Sequence, residues 1–281
     1  MFYLKFKYLA IISGIIIIFF LLILVLLPAI TLGPTVAASF RSATWPMFIL
    51  LILIMAGVTV FFLFNYRLLS LLEREDWPAL AYYLEQKIYG KGRYSSRKVR
   101  LLATSYLVMT DYPGVLRLES KVSIAKPLIV EKNILIFGAA RILSGNHSEA
   151  AAFFNTHLQR DSGHHKKGKI KEEQWLRWFY GFTQMLCGAF TQAEQEFSSL
   201  AISSPDALIT GLSSYFLFNT LAKHSLKPAE CRAVAGNGRE RVKNVLINNE
   251  GWKKETEKTK NEVHTTIIMK YINEAGEWLF K

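Results

Sequence analysis

Apolar and polar positions are segregated along this chain. No charged residue occurs from Tyr8 to Phe40, and Leu9 to Leu27 is a nearly unbroken run of Ile, Leu, Val and Phe. A second uncharged run extends from Ser42 to Tyr66, with Pro46 to Phe64 as its core. About 20 apolar residues at 1.5 Å rise cross a hydrocarbon core of roughly 30 Å, and within lipid a helix satisfies its own backbone groups. Both runs are therefore predicted as transmembrane helices, residues 8–27 and 46–66, with breaks at Pro28 and at Gly33-Pro34 between them. The first run exceeds the usual 7–15-residue core of a signal peptide, so retention is expected over cleavage after Ala37, Ala38 and Ser39. No Gly or Pro lies between Gly57 and Pro78, which predicts one continuous rod from the second span into the next helix.

Beyond the spans, apolar residues recur at one-face helical spacing: Val99, Leu102, Ala103 and Tyr106, then Ile134, Phe137, Gly138 and Ile142, then Trp178, Gly181 and Met185. After each of these helices, and after the second span, a similar window recurs: Glu75–Leu80, Thr110–Val115, Gly145–Ala150 and Gly188–Ala193. Their last residues are spaced 35, 35 and 43 apart, the longest interval holding an insertion near Arg160–Lys171. Asp76, Asp111 and Asn146 suit a helix N-cap, and Pro78 and Pro113 suit a first helical turn. A fixed period of this length marks a repeat architecture.

These residues resemble the tetratricopeptide repeat family. Gly181, Ala193, Phe197 and Pro205 fit its pattern of a small residue late in the first helix, Ala then Phe four later in the second, and Pro near the end. Gly138, Ala150 and Phe154 fit without the Pro. In the preceding unit Ala103 and Tyr106 fit, but Glu119 stands where Phe is expected; the first unit has Leu80 and Leu84 as its second-helix pair. The resemblance covers about Arg67 to Pro205. It implies an all-α fold in which a transmembrane helical hairpin, residues 1–66, precedes a TPR-like α-solenoid, residues 67–205. Residues 206–281 would close the stack with helices over Ala207–His224, Pro228–Asn249 and Trp252–Phe280. An unrelated all-helical bundle is the alternative.

Charge adds orientation. The chain carries 34 Lys+Arg against 22 Asp+Glu, a net +12, with a mean hydropathy of +0.19. Only Lys5, Lys7 and Arg41 fall in the first 66 residues, and every acidic residue follows Tyr66. This distribution excludes a wholly soluble enzyme, a disordered chain and a disulfide-stapled secreted domain. Lys5 and Lys7 before the first span, and Arg67, Arg74 and the Lys87–Arg100 cluster after the second, put both ends in the cytoplasm. A loop of about 15–18 residues carrying Arg41 would lie outside, with Tyr8, Trp45 and Tyr66 at the interfaces. The expected location is the inner (cytoplasmic) membrane, multi-pass, with the helical domain cytoplasmic. Basic residues at Lys87–Arg100, Lys166–Lys171, Arg239–Lys243 and Lys253–Lys260 form either an ordinary cytoplasmic surface or a seat on anionic lipid. Nucleic acid is not expected, because the aromatics follow core periods and form no stacking platform.

Candidate chemistry is sparse. Cys187 and Cys231 each lie in an apolar helical stretch and are expected as buried, inert thiols. The adjacent pair His164-His165 makes a poor metal site, and His147 reads as core packing. Gly236-Asn237-Gly238 lacks the strand and the Gly-Lys-Ser/Thr of a phosphate loop. No catalytic set, cofactor or metal site is expected. The resemblance implies a concave groove lined by the first helices of the repeats, which binds a protein segment. On matching positions it would include Arg97, Arg100, Thr104, Leu135, Ala139, Trp175, Trp178 and Phe182; simple packing against the C-terminal helices is the competing role for Trp175 and Trp178. The family's carboxylate clamp of Lys and Asn is not reproduced. The function expected is a membrane-anchored, non-enzymatic scaffold or adaptor holding a protein partner at the cytoplasmic face. Secretion systems and flagellar motors use such parts, and nothing in the sequence selects one. The alternatives are an assembly or regulatory subunit acting through the spans, at Ser13-Gly14 or Ala56-Gly57, and an enzyme with an unfamiliar helical site.

Overall fold

The computed structural model describes residues 12, 14–16, 18–20, 22, 23, 33–90, 92–161, 169–260 and 262–281. Among them all regular structure is helical. The chain divides into two compact units, Met1–Lys87 and Ile88–Lys281.

In the first unit the dominant element is α1, Gly33–Glu73, 41 residues long. Its start corrects the expected loop between the spans: Pro34 sits in a first turn, where its missing N–H costs nothing, so Gly33-Pro34 opens a helix and Arg41 lies within it. The stretch Trp45–Glu73 has a mean hydropathy of 2.9 and is long and apolar enough to cross a membrane. Leu53, Leu63 and Phe64 on it are 62%, 72% and 80% exposed, a surface suited to lipid and unsuited to water. Thr59 Oγ1 and Asn65 Nδ2 donate back to the carbonyls of Met55 and Phe61 at 2.9 and 2.8 Å, so both polar groups are satisfied within the helix. The helix passes through 67–72 without interruption, as the lack of Gly and Pro there predicts. Of the expected first span, the described residues between 12 and 23 are helical, and all but the half-buried Gly14 are exposed; the rest of it, with Lys5, Lys7, Tyr8 and Pro28, lies outside the described residues. The expected boundary at residue 66 falls inside α1, which packs its end against α2, Trp77–Glu85.

The second unit contains α3 (Ser96–Val108), α4 (Tyr112–Ala125), α5 (Pro127–Glu131), α6 (Ile134–Leu143), α7 (His147–Asp161), α8 (Lys169–Leu186), α9 (Phe190–Ser203), α10 (Ala207–Asn219) and α11 (Pro228–Leu246). Three more helices close it: α12 (Asn249–Thr259), α13 (Val263–Ile267) and α14 (Met269–Phe280). This corrects the single helix expected over Trp252–Phe280. The chain turns after Thr259 because Thr265 Oγ1 donates to the carbonyl of Glu262 at 2.7 Å and to that of Thr259, holding a bend in place of a helical turn. Consecutive helices pair as α3–α4, α6–α7, α8–α9 and α10–α11, and the first members also touch in series, α3 to α6, α6 to α8 and α8 to α10.

The four recurring windows share one backbone geometry. Glu75, Thr110, Gly145 and Gly188 take φ of 53°, 59°, 82° and 78°, a left-handed helix stop. The next residue in three of them, Asp76, Asp111 and Ala189, donates its N–H back to Leu71, Tyr106 and Gln184 at 3.1, 2.9 and 2.9 Å. Asp76 and Asp111 then cap the new helix, accepting from the N–H groups of Ala79 and Gly114. Leu80, Val115, Ala150 and Ala193 each donate to the carbonyl of the starting residue four positions earlier, and all four side chains are fully buried.

Helix approach is set by small residues. A Cβ on Gly138 would stand 2.1 Å from Phe154 Cζ, and one on Gly181 would stand 3.2 Å from Phe197. A Cβ on Gly238 would stand 2.1 Å from Ser214 Oγ, so this glycine of α11 serves packing. Trp252 is held between Gly211 and Gly276 and donates its Nε1–H to the carbonyl of Ile272 at 3.1 Å. Where the repeat pattern wants Phe, Glu119 on α4 pairs with Arg141 on α6 instead, both nearly buried, with the Arg141 guanidinium 4.2 Å from the centre of the Phe153 ring. Burial pushes the Glu119 carboxyl up, and Arg141 partly offsets this.

Candidate functional site

The expected groove residues divide into two groups. Arg97 and Arg100 are exposed on α3, with Thr104 and Leu135 half-buried near them in the sequence pattern of α3 and α6. Ala139, Trp175, Trp178 and Phe182 are buried. Trp178 stacks on Phe182 with ring centres 5.3 Å apart and meets Phe197 and Phe216 at 5.8 Å. Phe182 meets Tyr271 of α14 at 5.7 Å, and Trp175 meets His264 of α13 at 5.1 Å. The C-terminal helices thus occupy the aromatic half of the expected surface, and a partner reaches Trp175, Trp178 and Phe182 only after α13 and α14 move away.

What remains open is a cavity of about 340 Å³ lined from α3, α6, α8 and α13 by Arg100, Leu135, Ile136, Lys171, Trp175 and His264, among others. Asn133, buried at the start of α6, organises it. Its Nδ2 donates to Ser96 Oγ at 3.1 Å and to the carbonyl of Ile129 at 2.7 Å, while its Oδ1 accepts from Arg100 Nε at 3.2 Å. Arg100 Nη2 donates to the carbonyl of Lys132 at 3.2 Å. The Arg100 guanidinium is therefore oriented by neutral acceptors. Lys171 lies 3.2 Å from Asp206, whose other oxygen caps α10. His264 is buried, with Glu262 Oε2 3.1 Å from its Nε2 but off the direction a hydrogen bond needs. Burial first, then the Lys171 and Arg100 charges, push the His264 imidazole down to about 4, so it is neutral at pH 7.

Sequence reasoning named Arg100, Leu135 and Trp175 of this cavity and missed Lys132, Asn133, Lys171, Glu262 and His264. Asn133 carried a usable signal, a cap-type residue before an apolar helix.

The remaining candidates resolve individually. Cys231 is buried, its thiol pushed up to about 11 by burial. Cys187 is exposed, against expectation, because α8 ends at Leu186 and the chain turns outward through Gly188. His147 is half-buried at the start of α7. His164 and His165 lie outside the described residues. Within the Arg239–Lys243 cluster two arginines are structural: Arg241 donates to the carbonyls of Ala201 and Ser204 at 2.6 and 2.9 Å, and Arg239 to that of Leu279 at 3.0 Å. Both thereby satisfy helix ends. Lys258 on α12 and Lys260 just after it pair with Glu255 and Glu257 of that helix.

The family model that matches lies within the second unit, whereas the alignment to a relative is longer than that unit. The chain belongs to the family described as "Uncharacterised Treponema protein", whose model matches residues 114–281. A Treponema pallidum (strain Nichols) protein described as "Uncharacterized protein" is 27% identical over 240 residues, covering 83% of this chain and 74% of that relative. No solved structure matches the chain.

Proposed function

We propose that this protein is a membrane-anchored TPR-like scaffold that holds a protein partner at the cytoplasmic face of the inner membrane, without catalysis. The observation that carries the reading is the recurrence of one turn geometry at Glu75, Thr110, Gly145 and Gly188, with Leu80, Val115, Ala150 and Ala193 buried in the same position after each. A two-helix unit of this kind cannot bury both faces alone, so a stack of them is a way of building an extended surface. The Trp45–Glu73 helix supplies the anchor, and the uncharged run before it supplies a second crossing. The cytoplasmic side follows from the Lys and Arg excess flanking both runs.

The partner surface in this reading is the open part of the groove, Arg97, Arg100, Thr104 and Leu135, an arginine-bearing patch of the kind that dominates interface energies. Ala139, Trp175, Trp178 and Phe182 join it when the C-terminal strap lifts. Affinity isolation of the full-length protein in a mild detergent, comparing wild type with Arg97→Glu, tests it. Selective loss of one co-purifying protein supports the groove; an unchanged set of co-purifying proteins removes it.

A further inference from the structure

The cavity between α3, α6, α8 and α13 has a chemistry of its own. Three cations reach it, Arg100, Lys132 and Lys171, together with two carboxylates on exposed residues, Glu172 and Glu262. Arg100 is aimed by Asn133 Oδ1 and the Lys132 carbonyl, so none of the acceptors that orient it is a carboxylate. A guanidinium held in place by neutral acceptors keeps its charge available for an oxyanion, and its planar fork matches carboxylate and phosphate oxygens. Two aromatic wall residues, Trp175 and His264, are at least nine-tenths buried, and Trp175 Nε1 and His264 Nε2 have no hydrogen-bond partner among the described residues. Buried polar atoms left in that state are unusual in native proteins and call for an explanation at their site. The volume suits a small metabolite and is too small for a folded partner.

The geometry points to this cavity as a binding site for a small soluble oxyanion, a compact molecule bearing phosphate or carboxylate groups, with Arg100, Lys132 and Lys171 as its cationic contacts. The cavity shares Arg100 and Leu135 with the proposed partner surface, and Arg97, which does not line the cavity, separates the two readings. The lining carries three cations against two carboxylates, and Asp206 draws on Lys171 from outside it. An anion seated on Arg100 and Lys171 ties α3 and α8 together beneath α13, so occupancy stabilises the strap in its closed position.

The test is isothermal titration of the full-length protein in an uncharged detergent with inorganic pyrophosphate and, separately, citrate, at fixed ionic strength. The expected result is saturable one-to-one binding of at least one probe. It should weaken roughly tenfold or more in Arg100→Gln, the scale of one charge-assisted contact, and persist in Arg97→Gln. Arg100 also bonds to the turn that precedes α6, so Lys132→Gln, whose substituted side chain takes no part in those bonds, gives a second reading: a several-fold loss with an unchanged far-UV spectrum. Absence of saturable binding by both probes at millimolar concentration overturns the proposal. So does equal weakening in Arg97→Gln, which would mean diffuse surface charge and no site.

Discussion

Gly138 and Gly236 are both helical glycines, yet the structure assigns them opposite substitution effects. At Gly138 an added methyl meets the Phe154 ring at 2.1 Å inside a closed interface, whereas nothing lies within 4 Å of the Cβ position at Gly236. Gly138→Ala is expected to destabilise by about 1–3 kcal/mol through overpacking. Gly236→Ala is expected to be neutral or to stabilise by up to about 1 kcal/mol through helix propensity. Chemical denaturation of both variants checks the pair, and the sign difference is the informative result. His264 makes a second prediction at this scale. Its folded value, about 4, lies below the ordinary 6.5, so the stability it contributes is present above pH 6.5 and lost as pH falls through 6.5 towards 4. The loss amounts to at most about 3 kcal/mol. Glu119 and Glu196, pushed up by burial, act in the opposite sense on acidification. The His264 contribution is therefore read as the difference between wild type and His264→Gln, and parallel pH profiles for the two would contradict it. Gly138 was legible in the sequence because a small residue facing Phe154 is a repeat signature. His264 was not, because its burial depends on α13 lying over Trp175, a contact between residues 89 positions apart.

At the scale of elements, the helix starts were read well and the helix breaks less well. Asp76, Asp111 and Asn146 announce their turns through local bonds, each accepting from an N–H three residues on, so sequence alone locates them. The break between α12 and α13 depends on Thr265 returning to Thr259 and Glu262, which no periodicity reveals. The opening of α1 at Gly33 was misread because Gly-Pro serves equally as a loop and as a helix start. Between α4 and α6 the substitution of Glu119 for the pattern's Phe has a measurable consequence. Arg141→Met leaves a buried carboxylate unpaired and should cost about 3–5 kcal/mol, while Glu119→Leu combined with Arg141→Met should recover most of that. Denaturant midpoints of the single and double variants decide; equal losses in both would show that the ion pair is not the source of the cost.

For the whole molecule, the separation of an apolar segment from a charged helical unit was legible, because composition changes abruptly at Tyr66. The sequence did not reveal that α13 and α14 cover the aromatic half of the expected groove, since any of several apolar helices was competent to pack there. The native thiols test the assigned orientation. Cys187 is exposed and Cys231 is buried with its thiol raised to about 11, so a membrane-impermeant maleimide should modify Cys187 alone. It should do so in inside-out vesicles and not in intact cells; modification from outside would reverse the topology.

In the proposed function, one face of the helical stack meets a protein partner while the stack is held at the membrane. A photo-crosslinking amino acid placed at Arg97, compared in living cells with the same group at Lys253 on α12, addresses it directly. One recurrent protein adduct is expected from position 97, absent from position 253 and recovered in the membrane fraction. Indistinguishable adducts from the two positions, or none from either, would contradict it.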